Sequence, residues 1–453
     1  MKIKILVLFL GLMAQVTAQS DLVKIQGKIL SNTAQEVVIA SDSDTSSFRL
    51  AITINQVNQS IKATRGYYKM SIGEEYTDIY LIPNYDLSFS IDLKEFDESI
   101  KYTGSLAAEN NYLAAKMLKN ELINSRETMK YYGKNEKEFL DNFNAHINEL
   151  TSTLKSSKLD NEFRENELKN CELEKYMTLL DYPSYHSYIT KNMSFKVSDS
   201  FYGFINRINV NDASTYKKNS PYLGVVDKYI EYYLQQTNQK FEAESDDYFI
   251  KKMEILRTKV TNQSVRNAMI DFYQHMIGYM KDPQKIAQLM SSISTDNQLN
   301  KELKESADKV MKLLKGNPAP NIKAVDANGK TKVLSDYRGK LVYIDAWATW
   351  CGPCMQELPF YEAVKREYKD KNIEFVSICV WDNQTTWKNF LEKRKLDGNQ
   401  LFIEGQTNEF IDNYMIKGVP SFILIDKEGK IISHNALRPS DKALREELDR
   451  LLK

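Results

Sequence analysis

Cysteine is scarce in this chain, with four in 453 residues, and only Cys351 and Cys354 stand close together. A protein stabilised by disulfides would carry more of them in an even framework, so a disulfide scaffold is excluded. Histidine is equally scarce, also four, and His146, His186 and His275 lack the spacing of metal ligands. Net charge is absent as well: Lys+Arg and Asp+Glu both number 61. There is therefore no overall basic field to draw in nucleic acid or an anionic membrane. Long apolar runs are missing after the first residues, which removes a membrane-spanning helix from the expected mature chain. No repeat of fixed period is evident, which argues against a solenoid.

What is present is enough for large cores. Apolar residues make up 42% of a length that suggests two or three domains. Lys2 and Lys4 precede the apolar run Ile5 to Met13, and Val16-Thr17-Ala18 offers a small-residue cleavage site. This reads as a signal peptide over residues 1–18, so the protein is expected to be exported to the periplasm or cell envelope as a soluble chain. No cysteine lies near the cleavage point to carry a lipid anchor.

Three patterns follow in order, and together they imply a multi-domain chain. Residues 19–104 alternate with period two: Val23, Ile25 and Ile29; Phe48, Leu50, Ile52 and Ile54; Leu87, Phe89, Ile91 and Leu93. That predicts a small all-β domain, an antiparallel sandwich or barrel, with Pro83-Asn84-Tyr85-Asp86 as a turn. Residues 105–315 predict a helical domain, with helices over Ala107 to Asn124, Glu136 to Ser156, Glu165 to Leu180, Leu223 to Gln235, Asp246 to Val260, Ser264 to Met280 and Asn300 to Leu314. Asp181-Tyr182-Pro183-Ser184 and Asp282-Pro283 read as breaks. Residues 316–453 open on Gly316, Pro318 and Pro320, which end the helical pattern, and then alternate as an α/β unit. Its strands are expected at Leu341 to Ala346, Ile373 to Val380, Ser421 to Asp426 and Lys430 to His434, the last two forming a hairpin.

The chemistry concentrates in Trp347-Ala348-Thr349-Trp350-Cys351-Gly352-Pro353-Cys354, between a strand and a helix expected over Met355 to Tyr368. At a helix start, N–H groups and the positive end of the dipole favour the thiolate of the first cysteine. A second thiol one turn on is placed to resolve a mixed disulfide formed on the first. Two other readings compete. A zinc site would need a second pair of ligands, and the other cysteines, Cys171 and Cys379, stand alone. A structural disulfide across so short a loop would stabilise little. Cys379 reads as a buried strand residue. Cys171, in a polar helical stretch, is open to a regulatory or intermolecular disulfide.

The run Ile344 to Cys354, followed by Met355-Gln356-Glu357-Leu358-Pro359, resembles the active-site segment of the TlpA/ResA-like thiol-disulfide oxidoreductases, thioredoxin-fold proteins of bacterial envelopes. The likeness covers about the last third of the chain, and the β segment loosely resembles domains that precede such folds in Bacteroidetes envelope proteins. It implies Cys351 as nucleophile and Cys354 as resolving thiol, with no cofactor beyond that pair and no metal. Asp345 matches the family's buried acid and Glu357 the glutamate near the thiols. Val419-Pro420 matches the cis proline facing the cysteines, where the backbone pairs with substrate. Gly352 and Pro353 shape the turn as in reducing thioredoxins, and Trp350 joins the contact surface while Trp347 belongs to the core. The implied partners are disulfide-containing exported proteins and a membrane thiol electron donor. An oxidase or isomerase, or a binding protein whose first 300 residues hold a ligand, are the alternatives.

Overall fold

The computed structural model describes residues 22–31, 34–42, 46–73, 75–124, 131–237, 239, 241 and 245–453. The expected signal peptide, 1–18, lies outside the described residues. By its contacts the chain divides into two compact units, Met1–Tyr232 and Tyr233–Lys453, so the division falls inside the helix Tyr222–Gln235.

In the first unit the described strands are β1 (Leu22–Leu30), β2 (Glu36–Ser41), β3 (Ser47–Ala51), β4 (Gln56–Lys62), β5 (Gly66–Ile72), β6 (Glu75–Leu81), β7 (Asp86–Asp92) and β8 (Lys101–Thr103). They form two four-stranded sheets, ordered β4-β1-β7-β8 and β3-β2-β5-β6. Period-two burial sends Val23, Ile25 and Ile29 inward, as the alternation requires. The expectation of a purely antiparallel sheet is corrected at β1 and β7, which pair in parallel. A sequence pattern of period two reports which face is buried and carries no information on strand direction. A second correction falls at Ile54, expected to point inward. It is exposed, with Asn55 also at positive φ, in a two-residue turn closed by the Thr53 and Gln56 backbones. Asn84 does supply the expected turn, at φ 68°.

The sheets do not close their core alone. Tyr112, Leu150, Leu154 and Phe163, from the helices Ala107–Asn124, Glu136–Ser156 and Asn161–Thr190, belong to the same apolar cluster as Val23 and Phe89. Asn110 fixes the first helix to a strand by accepting from the Tyr80 N–H and donating to the Tyr80 carbonyl. The break expected at Pro183 does not occur, because Asn161–Thr190 runs through it. Interior proline costs about 3 kcal/mol. Buried Tyr182 stacks on Phe139 at 3.9 Å and donates to the Lys134 carbonyl, and these contacts hold the helix across the missing bond. Cys171 on this helix is buried against the Tyr112 hydroxyl, and burial pushes its thiol up to about 11. That corrects the reading of Cys171 as available for an intermolecular disulfide.

In the second unit Asp282-Pro283 starts a helix where a break was expected. Asp282 caps Pro283–Ile293 by accepting from the Lys285 N–H, and proline is tolerated at the first helical position. The expected helix over Ser264 to Met280 is α only over Gln263–Tyr273 and tightens to a 3₁₀ segment, Gln274–Tyr279. The strands of this unit are β9 (Lys323–Asp326), β10 (Thr331–Val333), β11 (Leu341–Trp347), β12 (Ile373–Cys379), β13 (Asn399–Phe402), β14 (Ser421–Ile425) and β15 (Ile431–Ser433). They make one sheet ordered β10-β9-β13-β12-β11-β14-β15. Strand β11 lies between parallel β12 and antiparallel β14 and is buried along its whole length. The chain leaves this most enclosed strand directly into the cysteine loop.

Candidate active site

Cys351 occupies the cap position of the helix Gly352–Glu367, and its Sγ accepts from the Cys354 N–H at 3.1 Å. Gly352 and Pro353 fill the first two helical positions, and proline there removes an N–H that would otherwise face the sulfur. The helix N-terminus is thus aimed at Cys351, the arrangement that stabilises a thiolate. In the structure the pair forms a disulfide with Cα atoms 5.2 Å apart. The loop before it is fixed at two points. The Thr349 N–H donates to Asp382 Oδ2 at 2.7 Å, and Trp350 Nε1 donates to the Trp381 carbonyl at 2.9 Å. Trp350 remains 59% exposed beside the pair, whereas Trp347 is buried.

The Val419–Pro420 peptide bond is cis, and the Val419 carbonyl oxygen lies 3.5 Å from Cys351 Sγ. Cys351 and Cys354 are themselves 3% and 4% exposed, so only a small part of the sulfur pair is open to a partner. Behind them sit Trp347, Ala348, Trp387, Phe402 and Cys379. Burial and the neighbouring Asp382 raise the Cys379 thiol far above its ordinary value, which keeps this third sulfur protonated and inert.

Asp345 stands opposite Ser377 on β12 and Phe422 on β14. It is 8% exposed, and burial, with the charge of Glu357 adding to it, pushes its carboxyl up to about 8 from 3.8. A carboxyl that titrates near neutrality is suited to exchange a proton with a thiol. Glu357 has a different setting. Its carboxylate accepts from the Ser440 N–H at 3.0 Å and the Ser440 hydroxyl at 2.8 Å, with Arg438 at 3.8 Å. It anchors the segment leading into the last helix, Lys442–Leu451, and reaches the site through its charge on Asp345. Replacing Glu357 with Gln should therefore bring the Asp345 titration below about 8, followed by carbon-detected NMR of the carboxyl. An unchanged titration would remove Glu357 from the electrostatics of the site.

The structure thus brings Cys351, Cys354, Gly352, Pro353, Trp350, Val419 and Pro420 together, with Asp345 and Glu357 as two carboxyls coupled by charge. Asp382, Trp381 and Ser440 are supports that the sequence reading missed. Asp382 carried one usable signal, a polar Asp-Asn step immediately after an apolar strand.

A buried strand delivering a cysteine pair to a helix N-terminus, opposite a cis proline, defines a thioredoxin-fold dithiol oxidoreductase. Residues 314–452 match the Redoxin family. The thiol-disulfide oxidoreductase ResA of Bacillus thuringiensis is 32% identical over 136 residues, 30% of this chain and 78% of that protein. ResA of Bacillus subtilis is 32% identical over 117 residues, 26% of this chain and 64% of that protein. The chain belongs to the ResA-like thiol-disulfide oxidoreductases, through its C-terminal region. Similar solved structures include the thioredoxin domain of a thiol-disulfide oxidoreductase from Bacteroides vulgatus, 28% identical, covering 31% of this chain and 99% of that one at a TM-score of 0.29. A thiol:disulfide interchange protein from a Bacteroides species is 30% identical, covering 31% and 92% at a TM-score of 0.29. Among the described residues no helix is long and apolar enough to cross a membrane, and no cluster of three or more metal-ligating side chains occurs.

Proposed function

We propose that this protein is an exported reductase of disulfides in envelope proteins, regenerated by a thiol donor at the membrane. The observation that carries the reading is the cysteine pair at the helix cap combined with the buried, high-pKa Asp345. In the reduced enzyme the Cys351 thiolate attacks one sulfur of a client disulfide. A Cys351–client disulfide forms and the other client sulfur leaves as thiolate, taking a proton from solvent. Asp345 accepts the Cys354 proton, directly or through water, and the Cys354 thiolate attacks Cys351 Sγ. The client leaves fully reduced, and the enzyme holds the Cys351–Cys354 disulfide. Two electrons from a donor dithiol restore it. Gly352 and Pro353 shape the attacking loop, while Trp350 and the backbone at Val419 and Pro420 receive the client. Export rests on the composition of residues 1–18, and the segments 19–104, 105–315 and 316–453 are taken as the domains.

The test is the reduction potential of the pair, measured by equilibration with defined thiol buffers with Cys351→Ser as control. A value near or below that of thioredoxin, about −270 mV, is expected of a reductase. A value of about −120 to −180 mV would make the protein an oxidant or isomerase instead.

A further inference from the structure

The second unit holds a cavity of about 340 Å³ that the thiol chemistry does not use. One wall is built from helical residues outside the Redoxin match, Gly278, Tyr279 and Ser306; the other is Ile416, Lys417 and Ser421, which flank the cis Val419–Pro420 bond. The walls are tied together where His434 Nε2 meets the Gly278 carbonyl at 2.9 Å, as donor. Ser421 Oγ donates to the Gly418 carbonyl at 2.6 Å, which holds the loop between cavity and thiols in shape.

Position along the chain gives the cavity its meaning. Lys417 and Ser421 are each two residues from Val419, whose carbonyl oxygen lies 3.5 Å from Cys351 Sγ. Even a fully extended chain covers only about 7 Å in two residues, so the cavity rim lies within roughly that distance of Val419. A polypeptide joined to Cys351 therefore has residues two or three positions from its own cysteine within reach of the cavity rim. The lining suits such a segment. Tyr279 and Ile416 offer apolar surface, Ser306 and the loop backbone offer hydrogen-bonding groups, and Asp271 and Lys417 put opposite charges on the two walls. The volume is near the lower end of small-molecule sites and is room for roughly two or three residues.

We infer that this cavity is a client subsite, occupied by the stretch of polypeptide next to the client's reacting cysteine, and that the helical segment from Asp271 to Ser306 selects clients for the dithiol. The inference rests on the oxidoreductase reading above and adds to it a recognition role for residues outside the redox domain. Small disulfides such as oxidised glutathione, whose chain ends one residue to either side of its cysteine, bypass the subsite.

Gly278→Phe tests it, since Gly278 lines the cavity and a Cβ built on it meets nothing within 4 Å, which leaves room at the root of the added side chain. The probes are oxidised glutathione and a seven-residue peptide whose central cysteine is disulfide-linked to glutathione. The variant is expected to lose about tenfold or more in kcat/KM on the peptide and to stay within about twofold of the parent on oxidised glutathione. Trimming the peptide to its cysteine alone should abolish the penalty. Ser306→Phe fills the same space from the helix Asn297–Lys312 and serves if Gly278→Phe does not fold. Equal rates for parent and variant on the long peptide, or an equal loss on every probe, would overturn the subsite. A parent protein that reduces neither probe would instead bring down the oxidoreductase reading itself, a separable result.

Discussion

Cys354→Ser protein, reduced and mixed with a disulfide-bonded polypeptide, will accumulate a covalent adduct through Cys351, and its multiple-turnover rate will fall by at least about a thousandfold. The first attack survives because Cys351 keeps its place at the helix cap. Only the resolving thiol is gone. Cys351→Ser should form no adduct and lose turnover to the same degree, since Cys354 sits within the first turn of the helix and lacks the cap position that Cys351 holds at the helix N-terminus. Non-reducing electrophoresis with mass spectrometry of the adduct separates the two. An adduct through Cys354 in the Cys351→Ser protein would reverse the assigned roles.

Asp345→Asn should lower the rate of the resolving step by about a hundredfold, the lower end for a lost acid–base group. In the parent this rate should rise with pH through an inflection near 8, where the carboxyl ionises, and in the variant that inflection should vanish. Stopped-flow decay of a preformed mixed disulfide measures it directly. Stability moves the other way. The native Asp345 carboxyl keeps its proton up to about 8, whereas the unfolded one releases it near 3.8. Between those values the native state binds more protons, so stability falls as pH rises from about 4 to 8. The full difference corresponds to an upper bound on the order of 6 kcal/mol, at about 1.4 kcal/mol per pKa unit. Asp345→Asn should therefore flatten the urea-midpoint profile across that range and be the more stable protein at pH 8. A slower enzyme whose stability profile still slopes as in the parent would sink the assignment of Asp345 as the buried acid.

Much of the redox region was legible because its signals are local. Strand β11 opens on the apolar run Leu341 to Ile344, Cys351 and Cys354 stand one turn apart, and the Asp426 to Gly429 turn announces its hairpin, with Gly429 donating to the Asp426 carbonyl. The helices were legible for the same reason, from apolar spacing and helix-forming composition, although the Asp160 cap that starts Asn161–Thr190 four residues before the expected Glu165 was not read. Misreadings came where a local signal met a non-local contact. Pro183 reads as a breaker until Tyr182 is seen stacked on Phe139, from another helix. Asp282-Pro283 reads as a stop, and it is equally the grammar of a helix start. The parallel pairing of β1 with β7 left no mark in either strand's pattern.

The sequence by itself determined the reaction type, thiol-disulfide exchange, and singled out the residues proposed to carry it, since spacing within one turn of helix and the end of one strand is set by bonded geometry. The tertiary structure alone decided the conditions under which those residues work. Asp345 is raised to about 8 because β12 and β14 close on both sides of it. Val419 faces Cys351 across 68 positions of chain, and Glu357 is held by Ser440 across 83. The cavity between the 3₁₀ segment and the cis-proline loop joins residues more than a hundred positions apart. Contacts of that range arise from the packing of the whole unit, in which each partner is buried by elements it shares no local pattern with, and so they are written in no single stretch of the chain.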